Sequence, residues 1–133
     1  MTEDKKPISS EEMIVKIASI LKNGMILGEM TDEEKKTYQA NLISFLSQSP
    51  FYAAFYDHDT STIMVETTYF DPLICVDITN NGIYFLPLTD KGYYQAFMKI
   101  MEFVMIERKK SKEIEEQQEE KKETKEMPNF DFL

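Results

Sequence analysis

Cations are missing from the part of the chain where the hydrophobic segments are concentrated. Between Lys36 and Lys91 there is no Lys or Arg, and 24 acidic against 15 basic residues give the whole chain a net charge of −9. Nucleic-acid binding needs cations that displace counterions from phosphates. The composition therefore argues against direct binding of DNA or RNA by this region. An acidic surface instead favours solubility or contact with a basic protein surface.

Residue types that carry chemistry are also scarce: there are one Cys, one His and four Gly. Cys75 lies in the apolar run "LICVDI" without a disulfide partner, which predicts a buried structural thiol in a reducing compartment. His58, in "YDHDTS", has no further ligands to complete a metal site or a general-base site, so a hairpin turn is the better interpretation. No glycine cluster forms a phosphate-binding loop. We expect no enzyme: no catalytic, cofactor-binding or metal-binding residue stands out.

Long apolar runs are absent as well. No stretch approaches the roughly 18 consecutive apolar residues of a membrane helix, and the charged N-terminus lacks the apolar core of a signal peptide. These absences predict a cytoplasmic protein that does not contact membranes. The length of 133 residues suits one domain with appendages.

The residue patterns that are present predict an α+β fold. The capping boxes Ser9–Glu12 and Thr31–Glu34 open two N-terminal helices. The period then changes from 3.6 to 2, and a four-stranded antiparallel meander is expected over "FYAAFYD", "TIMVETTYF", "LICVDIT" and "IYFLPL". Asn81-Gly82 predicts the last hairpin, because both residues tolerate positive φ.

A long C-terminal helix follows the predicted sheet. Residues 93–106 are apolar on more than one side, which predicts burial against the sheet and a second surface, either the first helices or a partner, including a second copy of the chain. Residues 107–126 are charged and form either a helical extension or a tether. The expected organisation is a leader (1–8), a single domain (9–106), this charged segment, and a C-terminal peptide (127–133).

Four tyrosines fall in or beside the predicted strands and suggest an aromatic surface on the sheet. Without interleaved cations, stacking on nucleic-acid bases is disfavoured. Cross-strand packing or an acidic, aromatic protein-binding face is the better interpretation. The residues of this candidate face are Tyr52, Tyr56, Glu66, Tyr69 and Tyr84.

The last residues, "EMPNFDFL", place large apolar side chains at the end of a hydrophilic segment. Pro128 blocks continuation of the helix, and Phe130, Phe132 and Leu133 form a compact apolar anchor around Asp131. Such side chains at the end of a solvated segment indicate a receiving pocket, either on a partner or on the chain's own domain. The candidate partner-binding residues are Met127, Pro128, Phe130, Asp131, Phe132 and Leu133.

The peptide "NFDFL" resembles two known kinds of C-terminal tail. One is the acidic, Phe-ending tip of bacterial single-stranded DNA-binding proteins, which the missing cations make a poorer match. The other is the sliding-clamp-binding peptide of bacterial and phage replication and late-transcription factors, whose phage form ends in Asp-Phe-Leu. Asn129 stands in the Gln position of the bacterial motif, Phe130 and Phe132 in its apolar positions, and Asp131 matches. The resemblance covers the tail alone and implies docking on a clamp.

Three functions are consistent with these features. The first is a non-enzymatic adaptor, phage-encoded and acting in the host cytoplasm, whose tail docks on a sliding clamp or similar hub. The second is an acidic inhibitor or nucleic-acid mimic that blocks a basic site on a host or defence protein. The third is a small acidic export or assembly chaperone that dimerises through the 93–106 helix.

Overall fold

Helices and one antiparallel sheet make up the described fold. The computed structural model describes the backbone of residues 9–126 and the side chains of residues 9–111. The helices in this range are α1 (Ser10–Asn23), α2 (Asp32–Ser47) and α3 (Tyr93–Glu126). The strands are β1 (Met25–Ile26), β2 (Tyr52–Asp57), β3 (Thr62–Thr67), β4 (Pro72–Ile78) and β5 (Gly82–Pro87). Their order in the sheet is β1-β5-β4-β3-β2, which confirms the predicted α+β class.

The first two helices begin where the sequence predicts. The Glu12 N–H donates to Ser9 Oγ at 3.1 Å, and the Ser9 N–H donates to Glu12 Oε1 at 3.0 Å. Thr31 and Glu34 repeat this arrangement at the start of α2, at 2.8 and 3.1 Å. Each box satisfies N–H groups that have no partner inside the helix. Local sequence therefore fixes both helix starts.

The fifth strand, β1, is absent from the predicted four-stranded meander. Met25 pairs with Ile83, and Ile26 pairs with Gly82. A strand of two residues is too short to show the alternation of apolar and polar residues by which strands are recognised. The pairing places β5 between β1 and β4, so β1 forms one edge of the sheet and β2 forms the other.

Two glycines allow β1 to approach β5 closely. A Cβ at Gly82 would lie 2.8 Å from the Met25 carbonyl oxygen and 3.0 Å from Tyr84 Oη. Gly24 ends α1 with φ +79°, and a Cβ there would overlap the Tyr84 ring. The Tyr84 ring therefore occupies the space that side chains at both positions would need.

The β4–β5 hairpin forms at the predicted place, but its turn is stabilised in a different way from the one predicted. The prediction rests on tolerance of positive φ, yet neither Asn81 nor Gly82 adopts a positive φ. Instead Thr79 Oγ1 accepts hydrogen bonds from the N–H groups of Asn81 and Gly82, at 3.3 and 3.1 Å. A threonine side chain thus holds this turn, and the glycine is required for space rather than for its backbone angle.

One face of the sheet carries the buried core, and we call it the core face. Cross-strand pairing aligns its side chains between neighbouring strands. The fully buried residues of this face are Ile63, Val65, Ile74, Val76 and Ile83. Leu42 and Leu46 of α2 are buried as well, and Phe97 packs edge-on against Phe85 with ring centroids 5.1 Å apart.

The chain divides into two compact units between Phe97 and Met98, inside α3. In the second unit α3 continues to Glu126. Among the described side chains of this unit, the buried apolar ones are Ile100, Phe103 and Val104, and the exposed apolar ones are Met98, Met105 and Ile106. The segment predicted to be buried on more than one side is therefore only partly buried.

Candidate functional site

The second face of the sheet carries a row of apolar side chains. Phe55 pairs with Met64, Met64 with Cys75, and Cys75 with Leu86, so the row crosses four adjacent strands. Paired residues of antiparallel strands lie on the same side of a sheet. Leu86 is 60% exposed and Phe55 is 44% exposed, whereas Met64 and Cys75 are half-buried. We call this side of the sheet the open face.

The position of Cys75 corrects the prediction of a buried structural thiol. Its neighbours Ile74 and Val76 are fully buried, but Cys75 has the opposite orientation and is only half-buried. An uninterrupted apolar run in the sequence does not show which of its residues point inward. The single cysteine of the chain therefore lies in the middle of the open face.

Acidic side chains flank the apolar row on both sides. Asp57, Glu66 and Asp77 each follow a residue of the row by two positions, which returns them to the open face about 7 Å along the strand. Because β3 runs opposite to β2 and β4, Glu66 lies on one side of the row while Asp57 and Asp77 lie on the other. The interval without Lys or Arg includes all four of these strands. The open face is therefore an apolar strip between acidic margins.

The candidate aromatic residues do not share one face. Tyr52 and Tyr56 belong to the core face, as their cross-strand partners show, whereas Glu66 and Tyr84 belong to the open face. Tyr69 lies in the β3–β4 turn and is 85% exposed. The segment "FYAAFYD" has aromatic residues at both odd and even positions, so its pattern does not show which of them lie on the core face and which on the open face. Their role in partner binding stays a prediction.

Sequence reasoning missed Phe55, Met64 and Leu86, although a signal for them exists. In "TIMVET" every second residue points to the same side of the strand, so Met64 shares its side with the polar residues Thr62 and Glu66. The apolar residues Ile63 and Val65 point to the other side. Polar residues at every second position mark the outward side of a strand. Combining that orientation across paired strands would have located the row.

His58 lies at the edge of a cleft of about 720 Å³ near the start of α2. Its ring meets the Tyr56 ring edge-on, with centroids 4.8 Å apart. The Asp59 N–H donates to Asp57 Oδ1 at 3.0 Å, an arrangement typical of turns, which agrees with the hairpin interpretation. Lys35 and Lys36 of α2 also line this cleft, together with Tyr56 and Asp77 of the sheet. Among the side chains that the structure describes, no group of three or more His, Cys, Asp or Glu could hold a metal ion.

Helix α1 presents a second apolar surface. Met13, Ile14 and Val15 are exposed, and none of the residues of α1 is buried. Its apolar residues recur at helical spacing, and Ile17 and Ile20 are half-buried. The apolar side chains of this helix are therefore at most half-buried, and α1 contributes no fully buried residue to the core.

The candidate partner-binding peptide, residues 127–133, lies outside the described residues, and the leader at 1–8 does too. Comparison with known proteins gives no match to a family model, a curated protein or a solved structure. In the described part of the chain, no helix has the length and apolarity needed to cross a membrane.

Proposed function

We propose that this protein is a non-enzymatic, phage-encoded adaptor whose C-terminal peptide docks on a sliding clamp or a similar replication or transcription hub. The observation that carries the proposal is the peptide "NFDFL", which follows a strongly charged helix. The charged sequence of residues 107–126 supports it, because this segment separates the fold from the peptide along the chain and α3 continues to Glu126. Phe130, Phe132 and Leu133 are the anchors, and Asp131 sets the register.

The expected strength of this docking follows from the size of the anchor. Each large side chain contributes about 1.5–3 kcal/mol when it is fully buried, so three anchors give a gross gain of about 5–9 kcal/mol. Ordering the peptide offsets much of this gain and leaves affinity in the micromolar class. A tail of that strength binds reversibly and raises the local concentration of the domain at its target.

A second candidate function is inhibition of a basic site on another protein. It is favoured by the acidic margins of the open face and by the absence of Lys and Arg from strands β2–β5. The two functions differ in their response to salt. Charge-dominated binding weakens steeply as salt is added, whereas apolar docking of the tail changes little.

The test is binding of a purified phage sliding clamp to the full-length protein and to a version truncated after Glu126. We expect the truncation to abolish binding and the double variant Phe130→Ala/Phe132→Ala to weaken it at least about tenfold, because both anchors are lost. Phe51→Ala is the matched control, since Phe51 is exposed on the domain. Equal clamp binding by the full-length and truncated proteins, or none by either, would contradict the proposal.

A further inference from the structure

We infer that the open face of the sheet is a binding surface for a cationic amphipathic helix of a partner protein. The inference concerns a different part of the chain from the C-terminal peptide and does not depend on docking to a clamp. It rests on the row Phe55, Met64, Cys75 and Leu86 and on the acids beside it.

The backbone chemistry of the sheet selects a helix over a strand. A ligand that lies on the face of a sheet finds the ladder hydrogen bonds already made and must satisfy its own backbone groups. A helix does so internally, whereas an extended peptide would need a free sheet edge. The row spans three inter-strand spacings, or about 14 Å, which matches about nine residues of helix. Apolar side chains at i, i+4 and i+7 of the partner would cover it.

The charges of the open face select a cationic partner. Glu66 on one side of the row and Asp57 and Asp77 on the other would meet basic residues that flank the apolar stripe of the partner helix. Two copies of the open face placed together would oppose these acids to one another without any Lys or Arg from the strands. Like charges held close together oppose association, so the charge pattern disfavours a second copy as the occupant.

The probe is a synthetic helical peptide with leucines at i, i+4, i+7 and i+11 and lysines on both flanks. A second peptide has the same leucines and glutamates in place of the lysines. We expect the full-length protein to bind the lysine peptide at least about tenfold more tightly than the glutamate peptide. The protein truncated after Glu126 should bind the lysine peptide equally well, which separates this surface from the proposed docking of the tail.

Alkylation of Cys75 reports directly on the surface, because the chain has no other thiol. The lysine peptide should slow this reaction in proportion to occupancy. Leu86→Ser should weaken binding at least about tenfold, since Leu86 is exposed and its loss removes apolar contact without opening the core. Glu66→Gln with Asp77→Asn should weaken binding several-fold and reduce its dependence on salt.

Ile14→Ser is the matched control, because Ile14 is an exposed apolar residue on α1. If Ile14→Ser abolishes peptide binding while Leu86→Ser leaves it intact, α1 is the binding surface and the inference is wrong. Equal binding of both peptides, or binding that leaves the alkylation rate of Cys75 unchanged, would also overturn it. Concentration-dependent self-association that is lost in Leu86→Ser would identify a second copy as the occupant instead.

Discussion

Asn80 connects two parts of the fold that are far apart in the sequence. Its Nδ2 donates to the Met30 carbonyl oxygen and to Asp32 Oδ1, both at 3.0 Å. The Met30 N–H donates in return to the Asn80 carbonyl oxygen at 2.6 Å. One side chain in the β4–β5 turn thus fixes the segment that enters α2, next to its capping box.

Asn80→Asp should therefore destabilise the protein by about 1–3 kcal/mol. The change removes both donors and places a second carboxylate beside Asp32. Asn81→Asp is the matched control, because Asn81 Oδ1 only accepts from the Thr79 hydroxyl and an aspartate can still accept. The measurement is the midpoint of urea unfolding for the two variants. Equal midpoints would show that the Asn80 contacts contribute nothing to stability.

At the scale of single elements, the start of α1 couples stability to pH. The pKa of Glu12 is lowered, mainly by the hydrogen bond from the Ser9 backbone N–H and next by the Ser9 side chain. Desolvation opposes this shift, and the charge of Lys16 adds a weaker lowering. A carboxyl whose pKa is lowered in the folded state contributes stability that is present above its unfolded pKa. That stability is lost as pH falls through the lowered pKa, so α1 should fray in acid.

Ser9→Ala should raise the pKa of Glu12 toward its ordinary value and reduce the helicity of α1. The variant loses the hydroxyl that accepts from the Glu12 N–H at 3.1 Å. A carboxyl-carbon NMR titration of Glu12 measures the first effect directly. Ser10→Ala, one position later and inside the helix, is the control that should leave the titration unchanged. If the pKa of Glu12 rose by the same amount in Ser9→Ala and Ser10→Ala, the capping box would not be the cause of its lowered pKa.

Most helices and strands of this fold could be predicted from the sequence, but one strand and the open face could not. Both capping boxes and the strands β2–β5 follow from local patterns, because a cap needs four residues and a half-buried strand needs about five. The strand β1 could not be predicted, since its two residues pair with a segment distant in the sequence. The open face was missed for a related reason: its row becomes visible only when four strands are aligned in register.

For the whole molecule, the exposed methionines of the second unit support the predicted homodimer through residues 93–106. Met105 is 55% exposed, and Met98 and Ile106 are exposed near it in the same helix. Unpaired apolar side chains on a helix are the usual means by which helices associate. Dimerisation through this helix would also fit the alternative role of an assembly chaperone.

Light scattering of the full-length protein should accordingly give twice the chain mass of 15.6 kDa. Met105→Glu should restore the mass of one chain, because a charge in an apolar contact is left without a partner. Met13→Glu on α1 is the matched control, with the same residue type at 47% exposure, and it should remain dimeric. A wild-type mass of one chain, or dimers in both variants, would exclude this interface.

The short strand β1 also has a consequence for the order in which the protein folds. Strands β2–β5 are joined by tight turns, so their contacts close small loops and form quickly. The contacts of β1 and of the segment after it join residues as much as 58 positions apart, from Met25 to Ile83, and closing so long a loop costs more chain entropy. We therefore expect α1 and β1 to attach late during folding. In the native protein they would be the first part to open, releasing α1 while the meander stays intact.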